Sequence, residues 1–302
     1  MQSSKKRQKK VKIDACIYKY YRILSQYENM GHNMTNTTIK QKSNEIKRNI
    51  ISMIVKAQGG HVGCSLSEAD ILAVLFFHTL NFSPENRDDP NRDRFVLSKG
   101  HASEGLYSTL AERGFFPKSW LLTYLRHQCP LTIHPTSHVP GVEINTGALG
   151  HGLSIGAGMA LAARKTGRNY RAFVLTGDGE LQEGTNWEAA MAAAHFQLGN
   201  LTLIIDYNRI QLADTIANTM EISPLRGKLE AFGFDVHEVE GHDTDALARL
   251  FDSLDYTGSK PHGVIAHTIK GKGVSFMENR PEWHHSIPTE EQGEMALAEL
   301  TL

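Results

Sequence analysis

The 302 residues contain only three cysteines, Cys16, Cys64 and Cys129, and no CxxC pair, so neither a disulfide framework nor a zinc-ribbon spacing is available. No run of 18 or more uninterrupted apolar residues occurs, which excludes the simplest form of membrane span. Charge of one sign is also missing: 32 basic residues stand against 33 acidic ones, giving a net charge of −1 and no global electrostatic footprint for nucleic acid. Repeats and low-complexity tracts are absent after residue 12. Wholesale disorder is excluded by composition, since 40% of residues are hydrophobic and 22% charged. The cysteine usage leads to the expectation of a reducing compartment, the cytoplasm; the apolar runs and the charge balance lead to the expectation of no membrane and no nucleic-acid partner.

Glycine and histidine are plentiful, at 26 and 15. Charge is unevenly placed. Lys5, Lys6, Arg7, Lys9, Lys10 and Lys12 carry no accompanying acid, and without them 26 basic residues face 33 acidic ones, a body of net charge −7. Such an arm is a potential nucleic-acid contact. The reading preferred here is a disordered or mis-started extension, residues 1–33, ahead of a domain spanning 34–302, with Met34 as a plausible start.

From Met34 on the pattern is α/β. Ile46, Ile50, Met53, Ile54 and Ala57 recur at helical spacing, and Gly59-Gly60 closes that helix. Ser67-Glu-Ala-Asp70 resembles a capping box opening an apolar helix from Ile71 to Leu80. A strand at Phe95–Leu97, a helix from His101 to Arg113 stopped by Gly114, and a short helix from Pro117 to Arg126 follow. Residues 128–150 hold Pro130, Pro135, Pro140, Gly141, Gly147 and Gly150 and read as a long functional loop. After a Gly- and Ala-rich helix, His151–Thr166, strands at 170–175, 201–205, 234–239 and 263–269 alternate with helices at 186–196, 225–232 and 245–254. This alternation predicts a parallel sheet with helices on both faces, whose ligands sit beyond the carboxyl ends of the strands.

That rule directs attention to Thr176–Gly184, Asp206–Ile210 and Lys270–Gly273. In Gly177-Asp178-Gly179 two glycines let backbone approach an anion while the carboxylate meets a cation. Asn208 ends the next strand, so Asp178 and Asn208 would offer hard oxygens to one divalent ion, with a backbone carbonyl completing the set in the manner of Mg²⁺.

Gly177-Asp178-Gly179, with 28 residues before Asn208, resembles the thiamine diphosphate (ThDP) motif. Five further segments are similar to those of transketolases: Ala57–His61, Leu97–Ser103, Ile133–Pro135, Thr146–Gly152 and His284–Pro288, together with Gly179–Gly184 continuing the metal motif. The resemblance runs from about residue 36 to about 290. It implies the ThDP-binding fold of the diphosphate-binding (PP) type. It implies ThDP and Mg²⁺ as cofactors, with Ca²⁺, Mn²⁺ or Co²⁺ as substitutes, the metal resting on Asp178, Asn208 and the Ile210 carbonyl. His101 would meet the diphosphate; Gly147, Ala148 and Leu149 would line the thiazole and pyrimidine; Gly179 would belong to the metal motif and Glu183 to a subunit–subunit network. His61, His134 and His285 would serve the sugar phosphate, with His285 also on the cofactor side. His138 and His284 stay undecided. The other histidines, including His195, His237, His242, His262 and His267, receive a structural or surface reading, and no HxxxH spacing supports zinc.

Departures exist: Val62, Ala148, His151 and Arg209 replace the family's usual Pro, Pro, Gln and Gly. Transketolases of full length are about twice as long as this chain and place the Glu that activates the aminopyrimidine in a second domain. The resemblance therefore leads to the expectation of the amino-terminal half of a split transketolase. It would be active only with a partner polypeptide carrying the pyrimidine-binding domain, as a heterotetramer of two copies of each. The reaction would be transfer of a two-carbon ketol unit from a ketose phosphate, branched or sulfonated ones included, to an aldose phosphate. Competing readings are the α subunit of a 2-oxoacid dehydrogenase, a 1-deoxyxylulose phosphate synthase-like enzyme, and a nucleic-acid binder acting through the basic arm.

Overall fold

The computed structural model describes residues 38–212 and 214–301. The basic arm, Cys16 and the Met34 boundary lie outside the described residues.

The first helix, α1 (Ile39–Ala57), is opened by a capping box: Thr38 Oγ1 accepts from Gln41 N at 3.2 Å while Gln41 Oε1 accepts from Thr38 N at 2.8 Å. Its apolar face, Ile46, Ile50, Met53 and Ile54, is fully buried. The chain then turns through Gly60, at φ +135°, into α2 (Val62–Val74), which runs on through a π turn at Leu75–Thr79. This corrects the expected start at Ser67. That residue lies inside the helix, and its hydroxyl donates to Asp206 Oδ1 (2.6 Å) rather than capping backbone. Asp70, the other end of the supposed box, instead accepts from Ser43, Lys47 and His242. The segment Val62–Thr79 is long and apolar enough to pass for a membrane span, with mean hydropathy 1.3, yet 89% of it is buried within the fold. It is a core helix.

Then come β1 (Arg94–Leu97), α3 (Ser103–Arg113), α4 (Gly152–Lys165), β2 (Ala172–Gly177), α5 (Gly184–His195) and β3 (Leu201–Tyr207). A small hairpin, β4 (Ile210–Gln211) with β5 (Asp214–Thr215), leads to the short helices α6 (Ile216–Thr219) and α7 (Leu225–Ala231). The chain continues with β6 (Asp235–Glu240), α8 (Thr244–Ser253), β7 (His262–His267) and α9 (Glu290–Glu299). The expected helix from Pro117 is a 3-10 stretch, Lys118–Thr123. The hairpin and α9 were not expected, being too short or too polar for a periodic signal.

Five strands form one parallel sheet in the order β1-β2-β3-β7-β6. One core cluster packs Phe95, Phe173, Ile204 and Val264 against Leu72, Phe76 and Phe251. A second packs Val96, Val174, Leu203 and Ile265 against Ala157, Ala190 and Leu229. Alternate strand residues thus feed cores on opposite faces, as a sheet covered on both sides requires. Gly156 lets α4 close on β2, since a Cβ there would lie 2.3 Å from Val174 Cγ2.

Candidate active site at the carboxyl end of the sheet

All the strand ends named by the sequence open on one side. β1 leads into Ser98–His101, β2 into Asp178, β3 into Asn208 and β7 into Thr268–Lys270. Asp178 is 3% exposed. Its Oδ1 accepts from Gly179 N (2.8 Å) and its Oδ2 from Arg209 N (2.5 Å), which ties the two loops together. Asn208 Oδ1 accepts from Ile210 N (3.1 Å), and the Ile210 carbonyl accepts from the buried Lys270 ammonium (3.2 Å). Burial and the neighbouring Asp206 push the Asp178 carboxyl up to about 7. A buried carboxyl so displaced, beside an amide oxygen and a carbonyl, is a donor set that suits a hard divalent cation, which would hold it ionised.

Behind this set lies a buried ion network that sequence reading missed. Lys99, 1% exposed, donates to Asp206 Oδ2 and to the Cys64 carbonyl (3.2 Å) and stands 3.2 Å from Glu68 Oε2. Asp206 also accepts from Ser67 and Thr268, and Asn208 Nδ2 donates to Ser67 Oγ (3.2 Å). Burial alone would raise the Asp206 carboxyl, but Lys99 outweighs it and holds Asp206 below its usual range. Burial leaves Glu68 well above its own. Lys99 and Asp206 were within reach of the sequence, as charged residues at the ends of apolar strands. Glu68 and Ser67 were not, because the capping-box reading claimed them.

The histidines converge. The His61 ring centroid stands 4.9 Å from that of His285, 5.4 Å from His101 and 5.7 Å from His284. His101 and His284 stack at 5.5 Å. His61 is aimed by its own backbone: its N–H donates to Glu104 Oε1 (3.0 Å), a buried carboxylate that also accepts from Tyr124 Oη and Ser65 Oγ. Gly60 is required there, since a Cβ would fall 2.2 Å from Glu104 Oε1. His134 packs on Gly147, whose φ of +136° and lack of a side chain admit the ring; a Cβ would be 2.8 Å from His134 Cδ2. His284, left undecided by sequence, sits inside the cluster with Nδ1 2.8 Å from Lys270 Nζ and 3.4 Å from Cys64 Sγ. His138 is exposed on the long loop.

Burial, reinforced by the neighbouring imidazoles, lowers His61 to about 4, and burial also lowers His134 and His285. These rings are therefore neutral near pH 7, able to donate and to accept. Burial alone would raise the Cys64 thiol, but Lys270 and His101 hold it well below its usual value.

The loop 146–150 is built for close approach. A Cβ on Gly100 would reach Thr146 Oγ1 at 2.5 Å and Gly147 N at 2.7 Å. Glu180, another residue not singled out beforehand, fixes the far end: it accepts from Ser98 Oγ (2.5 Å), Gly150 N (2.8 Å) and Gly177 N (3.1 Å). Ala148, Leu149 and Glu183 are exposed on this rim. Thr146 Oγ1 and His61 Nδ1 are buried without a hydrogen-bond partner. Backbone brought close by glycine, orphaned polar atoms and a hard-oxygen cation set fit a diphosphate-bearing cofactor with its metal.

Residues 39–298 match the family described as "Transketolase, thiamine diphosphate binding domain". The chain is 46% identical to a subunit of the apulose-4-phosphate transketolase of Actinobacillus succinogenes, over 89% of its own length and 98% of that protein's. It is 38% identical to the 6-deoxy-6-sulfo-D-fructose transketolase subunit of Clostridium sp., covering 87% of this chain and 96% of the relative. The crystal structure of the transketolase from Campylobacter jejuni superimposes with a TM-score of 0.81 at 33% identity, over 87% of this chain but 42% of that one.

Proposed function

The chain belongs to the transketolase family, as its thiamine diphosphate-binding domain, and from that premise we propose that it is the diphosphate-binding subunit of a split, ThDP- and Mg²⁺-dependent transketolase. The observation that carries the reading is how the relatives are covered. The chain spans 98% of the Actinobacillus relative, itself named as one subunit of its enzyme, and 42% of the Campylobacter transketolase. A separate partner then supplies the pyrimidine-binding domain and the rest of the substrate pocket. Two copies of each chain form the assembly, which works in the cytoplasm. The family match favours neither the 2-oxoacid dehydrogenase nor the deoxyxylulose phosphate synthase reading.

Asp178, Asn208 and the Ile210 carbonyl would hold Mg²⁺ together with the cofactor diphosphate, and His101 would face the same phosphates. Bound ThDP supplies the electron sink that accepts a two-carbon unit when a ketose carbon–carbon bond breaks. The protein's part is to place the sugar and move protons. His61, His134 and His285 present neutral nitrogens to the ketose hydroxyls. One of these rings accepts the hydroxyl proton released as the donor is cleaved and returns it to the oxygen formed on the acceptor aldose. The Lys99–Asp206 network fixes the floor on which the metal ligands stand.

The substrate class proposed is a branched ketose phosphate of the apulose-4-phosphate type, supported by 46% identity to the Actinobacillus protein and 44% to its counterpart in Phocaeicola vulgatus. The test is a donor panel run on the two-subunit enzyme: apulose-4-phosphate, xylulose 5-phosphate and 6-deoxy-6-sulfofructose with one aldose phosphate acceptor. Highest kcat/KM for the branched donor supports the assignment. Preference for either other donor overturns the substrate class while leaving ketol transfer in place.

A further inference from the structure

The amino-terminal end of the sheet, opposite the cofactor cleft, holds a second convergence. Asp235 and His237 lie two apart on the edge strand β6, so their side chains share one face. His262 opens β7 and pairs in register with Asp235, which brings its ring alongside them. His237 Nε2 stands 3.0 Å from Asp235 Oδ2, and His262 Nδ1 stands 3.6 Å from the same oxygen. All three donor atoms lie within 4.8 Å of one another. Linear spacing hides this set; only the register reveals it.

The decisive atom is His262 Nδ1. The His262 side chain is 2% exposed, and its Nε2 faces the Asp255 carbonyl at 3.2 Å, so that nitrogen carries the proton. Nδ1 is then a lone pair, buried and without a hydrogen-bond partner, aimed at a carboxylate oxygen beyond hydrogen-bond reach. Two acceptors facing each other call for something positive between them. A carbonyl on the far nitrogen is also the arrangement that fixes a metal-binding imidazole in its ligating tautomer. The Tyr256 ring meets His262 edge-on at 5.6 Å and holds its plane.

We propose that Asp235, His237 and His262 form a zinc site that clips edge strand β6 to β7. Two imidazole nitrogens and one carboxylate oxygen suit Zn²⁺ and related borderline ions and not Mg²⁺ or Ca²⁺. Tetrahedral zinc places its donors about 3.3 Å apart, close to the two separations seen. Asp235 and His237, with side chains 49% and 31% exposed, are free to complete the closure around a fixed His262. Lys260, the neighbouring cation that acts on Asp235, sits on an exposed side chain able to swing away.

The test is zinc titration of the reconstituted two-subunit enzyme saturated with ThDP and Mg²⁺, built from the parent chain or from the variants Asp235→Asn and His237→Gln, read by calorimetry and by thermal melting. Neither residue belongs to the cleft, so ketol transfer without added zinc is unchanged in both. The site predicts one more bound zinc in the parent than in either variant, or an affinity at least about tenfold tighter. It also predicts a rise in Tm of roughly 5 °C for the parent at a hundredfold excess over Kd, missing from the variants. Equal zinc counts and equal Tm shifts in all three proteins would overturn the proposal, leaving His262 as the protonated partner of Asp235.

Discussion

Replacing Lys99 with methionine removes the ammonium that stands against both Asp206 and Glu68 beneath the cleft. Lys99 is 1% exposed, and Asp206 and Glu68 beside it are 0% exposed. Breaking a buried ion pair from one side typically costs about 3–5 kcal/mol, because the remaining charge is left without its partner. Here the lower end applies. Glu68, held well above the usual carboxyl range by burial, takes up a proton, and Asp206 keeps the Ser67 and Thr268 hydroxyls. About 3 kcal/mol in a domain of this size corresponds to a fall in Tm of roughly 6–10 °C. The pH dependence has a definite sign. Lys99 depresses the folded-state pKa of Asp206, so its contribution is present above the unfolded carboxyl value of about 4 and is lost as pH falls through the lower folded one. Without Lys99, burial raises the same carboxyl, so the gap between parent and variant should be largest toward neutral pH and shrink in acid, as the unpaired Asp206 of the variant takes up a proton before the paired one of the parent does. Thermal melts of K99M, D206N and the double variant measure it, and the double variant should lose less than the sum of the singles by more than about 1 kcal/mol. A Tm change under about 2 °C at pH 7, or strictly additive losses, would refute the reasoning.

Asp178, pushed up to about 7, must shed its proton to ligate a metal. Mg²⁺ affinity in the presence of ThDP should rise with pH up to about 7 and level above it, with proton release seen by calorimetry in buffers of different ionisation enthalpy; a flat profile contradicts the assignment. His61, lowered to about 4 by burial, should show no NMR titration between pH 5 and 8, and a midpoint near 6.5 would contradict the neutral-imidazole cluster. Gly100→Ala forces a Cβ onto Gly147 N and Thr146 Oγ1 and should lower ThDP affinity or stability by about 1–3 kcal/mol; unchanged ThDP binding and Tm would show that the loop has room.

The parallel sheet was legible because its strands are short apolar runs alternating with helices, and burial on both faces writes that pattern directly into sequence. The positions of Asp178 and Asn208 followed from strand ends alone. The start of α2 was misread because Ser67 and Asp70 have capping chemistry, while in the fold both serve tertiary partners, Asp206 in one case and Lys47 and His242 in the other. The ion network was hidden for a related reason: Lys99, Glu68 and Asp206 come from three separate segments, and only packing joins them. The resemblance named His285 and left His284 undecided, whereas the fold brings both rings to His61. The zinc-type triad was unreadable because it depends on strand register rather than on linear spacing.

The central claim is a transketolase whose active site is divided between two chains. The direct measurement is ketol transfer with ThDP and Mg²⁺, by this chain alone and after reconstitution with a partner carrying the pyrimidine-binding domain. The account predicts turnover only when both are present, with maximal rate at equal amounts of the two chains. Full turnover by this chain alone would contradict it.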